Sequence, residues 1–249
     1  MGIKPSVSVG DVFKTNSCGE VKVIKYESAK SVHVTFIKTG YCCVTTVNNI
    51  KKGALKDKQL PSLLGVGIIG DIESHINRKP IKEYQLWVDL LNRCYGKTAK
   101  TSSYKDCSVS ENFKCFPYFK EWCNKQVGFG NKGWYLDKDV PFKGNKVYSE
   151  DTCCFVPSEI NCVFGTNKSV RGDFPLGVRK YSQGFGFSWR MKIGNIVVSK
   201  HGYQTPEEAF YDYKEAKEGR FKTLAEQYKT QIDIKVYNAL MNRTIEITD

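Results

Sequence analysis

The sequence predicts an α+β protein made of small antiparallel sheets and amphipathic helices. Apolar and polar residues alternate over residues 20–26, 31–37 and 185–193, which is the period of a half-buried strand. Apolar residues recur at helical spacing over 81–95 and 115–125. Three domains follow from these patterns: a β-rich segment over 1–79, a central segment with helices over 80–170, and a strand-and-helix segment over 171–249.

The first segment is predicted to form a small twisted sheet or barrel. Turn signals at residues 16–19 and 39–40 separate its strands. A basic loop over 51–58 and a glycine-punctuated connector over 63–70 come next, and a linker through residues 78–80 ends the segment.

Two helices open the central segment. One face of the first carries Tyr84, Trp87, Leu90, Leu91 and Cys94. The second carries an aromatic stripe of Phe116, Phe119, Trp122 and Cys123. Stripes of this kind usually pack in a core, so we interpret both faces as buried.

The third segment predicts three strands and a helix. The alternation over 185–193 places Arg190 and Lys192 together on the polar face of a strand. Thr205 is a natural N-cap, Pro206 suits the first helical position, and Glu208 completes a capping box. We predict helices over 205–218 and over 220–241.

The charge balance predicts an anionic partner. The chain has 38 Lys and Arg against 26 Asp and Glu, a formal net charge of +12. Residues 168–200 contain seven of these cations and one acidic residue, Asp173. Such a patch favours double-stranded DNA, since strands can enter the major groove and counterion release strengthens phosphate binding. No apolar run is long enough to span a membrane and no apolar signal core opens the chain, so no membrane partner and a cytoplasmic location are expected.

The third segment resembles the plant APETALA2-type DNA-binding domain. The matching residues are Gly177, Val178, Arg179, Trp189, Thr205, Glu207, Glu208 and Ala209. The resemblance implies a DNA-facing sheet, whose contacts would come from Arg179, Lys180, Trp189, Arg190, Lys192 and Lys200. Residues 181–184 depart from the family because they lack its usual Arg/Lys-rich turn.

The central segment resembles phage HNH endonucleases of the homing type, some of which carry APETALA2-like domains. The matching residues of its two helices are Trp87, Leu91, Arg93, Cys94, Tyr95, Phe116, Phe119 and Trp122. An HNH site is a β-hairpin followed by a helix. The resemblance places Tyr135 at the general-base position, Thr152 at the middle position and Asn161, nine residues further on, at the last. It implies Asp137, Asp139 and Asn161 as ligands of Mg²⁺ or another divalent cation if the site is active.

The departure from the HNH pattern weakens the case for catalysis. Tyr135 stands where the family has its catalytic histidine, and Trp134 stands where it has a metal-binding aspartate. A tyrosine hydroxyl keeps its proton at neutral pH and is a poor general base. The alternative interpretation is that Asp137 and Asp139 shape the hairpin turn and pair with nearby cations.

The ten cysteines predict buried thiols rather than disulfides. None forms a Cys-x-x-Cys pair, which argues against a simple zinc site. A distributed zinc site that draws its ligands from Cys94, Cys107, Cys115 or Cys123 is the alternative.

Three functions are compatible with these patterns. The first is a DNA-binding phage protein on a degenerate HNH scaffold, acting by occupancy in regulation, replication or counter-defence. The second is an active metal-dependent homing or nicking endonuclease. The third is an antagonist that binds a host protein. The missing histidine favours the first over the second, and the pairing of Arg179 with Arg190 and Lys192 favours both over the third.

Overall fold

A computed structural model of the protein describes residues 7–97, 104–164 and 173–249. It confirms the α+β class, with seven helices and several small antiparallel sheets in the described residues. The chain divides into two compact units, Met1–Glu121 and Trp122–Asp249. The predicted boundary between residues 79 and 80 falls inside the first unit, and the one between 170 and 171 lies outside the described residues. No helix in the described ranges is both long and apolar enough to cross a membrane.

A four-stranded antiparallel meander begins the first unit. Its strands are β1 (Val12–Lys14), β2 (Glu20–Ser28), β3 (Ser31–Phe36) and β4 (Cys42–Thr45). Their order is β1-β2-β3-β4, and the described strands do not close into a barrel. Alternation along β2 and β3 buries one face, as predicted, in a core formed by Val7, Val21, Val23, Val32, Val34, Phe36, Ile50 and Leu55.

A short helix, α1 (Val47–Lys51), covers the end of this sheet where the sequence suggested only a basic loop nearby. Thr46 caps it by accepting a hydrogen bond from the Asn49 N–H at 3.2 Å. The predicted linker through residues 78–80 is also ordered. Strands β5 (His75–Ile76) and β6 (Lys79–Pro80) form a hairpin around Asn77 and Arg78, whose φ angles of 50° and 65° suit a tight two-residue turn.

The helices predicted over 81–95 and 115–125 are present. They are α2 (Lys82–Tyr95) and α4 (Phe116–Lys125), and between them lie β7 (Ser108–Val109) and α3 (Glu111–Lys114). Trp87, Leu90 and Leu91 are buried, and the Trp87 indole donates to the Phe113 carbonyl at 2.8 Å. The aromatic stripe of α4 is buried as well, which confirms its interpretation as core.

The second unit contains a strand-loop-strand-helix arrangement. Strands β8 (Trp134–Asp137) and β10 (Cys154–Pro157) pair antiparallel, β9 (Val147–Tyr148) lies in the long connection, and α5 (Ser158–Val163) follows β10 directly. Asp137 lies opposite Cys154 in this pairing.

The C-terminal sheet has strands β11 (Val178–Lys180), β12 (Phe187–Ile193) and β13 (Ile196–Tyr203), in that order and antiparallel. The predicted strand began two residues early, since Phe185 is fully exposed. Gly186 explains the difference: its φ is +85°, and a Cβ there would meet the Tyr203 carbonyl oxygen. A register shift between Phe187 and Ser188 follows.

Helix α6 (Pro206–Tyr228) packs on this sheet, and α7 (Ile234–Asn242) packs on α6. The predicted capping box at Thr205 and Glu208 is present. The predicted break near residue 219 is wrong, because the helix continues through the exposed Gly219. Glycine costs a helix about 1 kcal/mol, which the buried residues on both sides of it outweigh. The break lies instead before Asp233, which caps α7 by accepting from the Lys235 N–H at 2.8 Å.

One hydrophobic core joins the two halves of the second unit. It includes Val156 and Ile160 from the strand-loop-strand-helix segment together with Trp189, Phe210 and Leu224 from the C-terminal sheet and α6. The parts predicted as a nuclease-like unit and a DNA-binding unit therefore share their interior.

Candidate nucleic-acid interface

Three cations lie on one face of the C-terminal sheet. They are Arg179, Arg190 and Lys192, and all three are exposed. Their cross-strand partners are Ser188, Ser199 and Val197. Paired residues of an antiparallel ladder share a face, and successive residues alternate faces. We call this surface, with His201 at its end opposite Ser188, the open face of the sheet.

None of the three open-face cations has an ion-pair partner among the residues that the structure describes. Arg190 and Lys192 lie about 7 Å apart along β12, and neighbouring strands are about 5 Å apart. This spacing concentrates three positive charges on a small surface.

The opposite face of the sheet packs on helix α6. Val178, Trp189 and Met191 are buried there. This corrects the prediction for Trp189, which is only 4% exposed and is not on the open face. Its ring meets Tyr213 edge-on, with centroids 6.1 Å apart, and its indole donates to Asp212. The aromatic residue stabilises the sheet from within.

Lys180 and Lys200 also lie on the helix side of the sheet. Lys180 is paired with Phe187, and Lys200 is paired with Trp189. The Lys200 ammonium donates to Asp212 at 2.9 Å, and this hydrogen bond raises its pKa above the ordinary lysine value. The six predicted DNA contacts therefore divide, and only Arg179, Arg190 and Lys192 share the open face.

The predicted metal ligands form a turn in the strand-loop-strand-helix segment. One oxygen of Asp137 accepts the N–H groups of Asp139 and Val140, at 2.7 and 2.8 Å. Burial raises the pKa of Asp137, against the lowering effect of these two hydrogen bonds. The carboxylate therefore shapes the chain between β8 and the loop that follows it.

Asp139 is engaged by a buried lysine. The Lys138 ammonium lies 2.7 Å from both carboxylate oxygens of Asp139 and donates to the Asn145 carbonyl at 2.7 Å. A second cation, Arg243, interacts electrostatically with Asp139 and Asp137, although burial lowers its own pKa. A metal ion here would have to compete with two resident cations.

The other predicted catalytic residues are Tyr135, Thr152 and Asn161, and each has a different environment. Tyr135 is 52% exposed on β8. The Thr152 hydroxyl donates to the Val147 carbonyl at 2.8 Å and orders the loop. Asn161 is half-buried on α5. In the described ranges, no group of three or more His, Cys, Asp or Glu residues is placed to hold a metal ion.

Several of the cysteines are buried. Burial raises the pKa of Cys153 to about 12 and also raises that of Cys154. Cys42 and Cys162 are exposed. Of the predicted zinc ligands, Cys107 and Cys123 are buried and Cys94 and Cys115 are half-buried.

Sequence reasoning missed Ser188, Tyr181 and His201, which lie beside Arg179 at one end of the open face. Only the strand register brings them together, and it depends on the irregularity at Phe187. No protein-family model, curated protein or solved structure matches this chain at a significant level.

Proposed function

We propose that this protein binds double-stranded DNA through the open face of its C-terminal sheet and acts by occupancy, without cutting. The observation that carries the proposal is the set of three exposed cations, Arg179, Arg190 and Lys192, none of which has an ion-pair partner in the described structure. Clustered like charges repel one another, so a folded sheet that keeps them fits a polyanionic partner.

The shape of the open face favours duplex DNA. A short antiparallel sheet can enter the major groove, where arginine reads guanine edges in a bidentate manner. If all three cations contact phosphates, log K should depend on log salt with a slope of about −2.7. In the setting implied by the resemblance to phage proteins, the site of action is the cytoplasm of a bacterial host.

We propose binding without DNA cleavage because of the contacts made by Asp137 and Asp139. The Asp137 carboxylate holds backbone N–H groups, and Asp139 is paired with Lys138. A tyrosine at position 135 does not replace a histidine base. The strand-loop-strand-helix order and Asn161 on α5 favour the second candidate, a metal-dependent endonuclease.

One experiment separates these functions. Purified protein is incubated with supercoiled plasmid in Mg²⁺, Mn²⁺ or EDTA, and mobility shift and nicking are measured on one gel. A salt-sensitive shift without nicking supports the proposal. Metal-dependent nicking that is lost in Asp137→Ala and Asn161→Ala would establish the endonuclease, and neither shift nor nicking would favour the host-protein antagonist.

The role of the open face is tested with a double charge-reversal variant. Arg179→Glu/Arg190→Glu should weaken DNA binding by about 30-fold or more, since each arginine contact is worth about 1–3 kcal/mol. Lys132→Glu/Lys222→Glu is the matched control, because both lysines are exposed elsewhere on the second unit and the change in net charge is equal. Equal losses in the two variants would show that only net charge matters.

A further inference from the structure

A polar notch lies at one end of the open face. It has a volume of about 300 Å³, at the small end of the range for ligand pockets, and is lined by Arg179, Tyr181, Gln183, Ser188, Ser199 and His201, among others. It forms because a small side chain, Ser188, lies on the central strand between two long ones, Arg179 and His201, on its neighbours.

The floor of the notch carries an unused hydroxyl. Ser188 is 3% exposed, and its Oγ is buried without a hydrogen-bond partner among the described residues. A buried hydroxyl left unpaired costs about 1–3 kcal/mol, and native structures rarely tolerate one without a reason. A ligand atom that accepts its hydrogen bond would supply that reason.

The walls of the notch are arranged around that hydroxyl. The rings of Tyr181 and His201 are stacked, with centroids 4.7 Å apart and planes within 3° of parallel, so the imidazole is held in place. Arg179 contributes a guanidinium that has no ion-pair partner in the described ranges. Lys200 also borders the notch, but its ammonium is paired with Asp212.

We infer that this notch seats one phosphate group of the DNA backbone, with Arg179 as the charged donor, Ser188 as a hydroxyl donor and His201 as an imidazole N–H donor. The inference rests on the proposed DNA binding and assigns one contact within it. A phosphate is a strong acceptor that a planar guanidinium binds in a bidentate manner, and hydroxyl donors are common partners of backbone phosphates. None of the described residues that line the notch carries a carboxylate that would repel it.

The test uses the full-length protein with a fluorescent duplex, titrated at salt concentrations from about 50 to about 200 mM. Arg179→Gln should lower the affinity and reduce the steepness of the salt dependence by about 0.9, because it removes one phosphate-neutralising charge. Ser188→Ala should lower the affinity about tenfold and leave the salt dependence unchanged, since the hydroxyl carries no charge. Lys222→Gln, on the exposed side of α6, is the control and should change neither quantity.

The Ser188→Ala variant also serves as its own control for correct folding. Removing an unpaired buried hydroxyl should leave the melting temperature equal to or above that of the wild type, so weaker DNA binding by Ser188→Ala cannot come from unfolding.

Two results would overturn the inference. The first is wild-type duplex affinity in Ser188→Ala while Arg179→Gln loses binding, which leaves DNA binding intact and removes only the notch. The second is micromolar binding of inorganic phosphate, followed by NMR at Ser188, with duplex affinity equal in all variants; it would assign the notch to a free phosphate compound. If the wild type binds no duplex at all, the proposed function itself fails.

Discussion

The indole N–H of Trp189 is donated to the carboxylate of Asp212, which joins the central strand β12 to helix α6. The same carboxylate accepts from the Tyr203 hydroxyl at 2.6 Å and from the Lys200 ammonium at 2.9 Å. One acidic side chain on the helix therefore fixes residues from two strands of the sheet. These contacts with Asp212 hold Trp189 and Lys200 on the helix side of the sheet, away from the open face.

Replacing the shared acceptor should destabilise the second unit. Asp212→Asn keeps one oxygen but cannot serve three donors, so we expect a loss of about 1–3 kcal/mol in the free energy of unfolding, measured by urea denaturation. Glu215→Gln, exposed on the same helix, should cost less than about 0.5 kcal/mol. Duplex affinity should remain that of the wild type below the unfolding transition. Equal stability of the two variants would show that the hydrogen bonds to Asp212 contribute nothing.

The same carboxylate predicts sensitivity to acid. Burial raises the pKa of Asp212, but hydrogen bonds from Tyr203, Lys200 and Trp189 outweigh burial and bring the pKa below its ordinary value. The native state then binds fewer protons at this carboxyl than the unfolded state does. Its stabilisation is complete above the unfolded pKa of about 3.9 and is lost as the pH falls toward the native pKa. The stability difference between the wild type and Asp212→Asn should therefore shrink below about pH 4. A constant difference would contradict this.

The turn at Asp137 predicts a contrast between two substitutions. Burial raises the pKa of Asp137, so its ionised form is a cost in the folded state at neutral pH. Asp137→Asn keeps an oxygen for the N–H groups of Asp139 and Val140 and should be as stable as the wild type or more so at pH 7. Asp137→Ala loses that acceptor and should cost about 1–2 kcal/mol.

Any advantage of Asp137→Asn should disappear as the pH falls through the raised native pKa to about 3.9, where the wild-type carboxyl is protonated in both states. Urea titrations at several pH values measure this. A rise of the wild-type melting temperature in Mg²⁺ that Asp137→Asn abolishes would instead show that the carboxylate binds metal.

Lys217 is a buried cation that should limit stability. It is 8% exposed on α6, its ammonium lies 5.9 Å from the centre of the Tyr213 ring, and burial lowers its pKa to about 8. Lys217→Met should raise the free energy of unfolding at pH 7 by about 1–2 kcal/mol, after allowance for the lost cation–π contact. The gain should decrease from about pH 8 toward the unfolded pKa near 10.4, because the folded lysine is neutral there. Lys222→Met, which is exposed, should show no such gain.

Local patterns in the sequence predicted the elements well. Alternation along residues 20–26 and 185–193 reflects one-sided burial, and a capping box at Thr205 is a short-range interaction within one turn of helix. Both depend on neighbours in sequence, which is why they can be recognised without the fold. The α+β class follows from them.

The predictions that were wrong or unresolved concern features that depend on contacts between residues distant in sequence. The role of Trp189 depends on Asp212, which lies 23 residues away, and the continuity of α6 through Gly219 depends on core contacts of Phe221 and Leu224. The position of Ser188 between Arg179 and His201 depends on the pairing of three strands and on a register shift that leaves Gly202 unpaired, and local patterns do not determine that pairing. Within the candidate site, alternation placed Arg190 and Lys192 on one face, but the side of the sheet on which Lys180 and Lys200 lie depends on the strand pairing.

Val156 and Ile160 pack in the same hydrophobic core as Trp189 and Leu224, so residues 134–163 support the C-terminal sheet from below its buried face. Loss of that segment would expose apolar surface beneath β12 and α6 and would unsettle the alignment of Arg179 with Arg190. A chain with no use for chemistry at Asp137 would still have to keep its β8–β10 hairpin and α5. Substitutions that disrupt this hairpin or α5 should therefore disturb the open face, whatever chemistry occurs at Asp137.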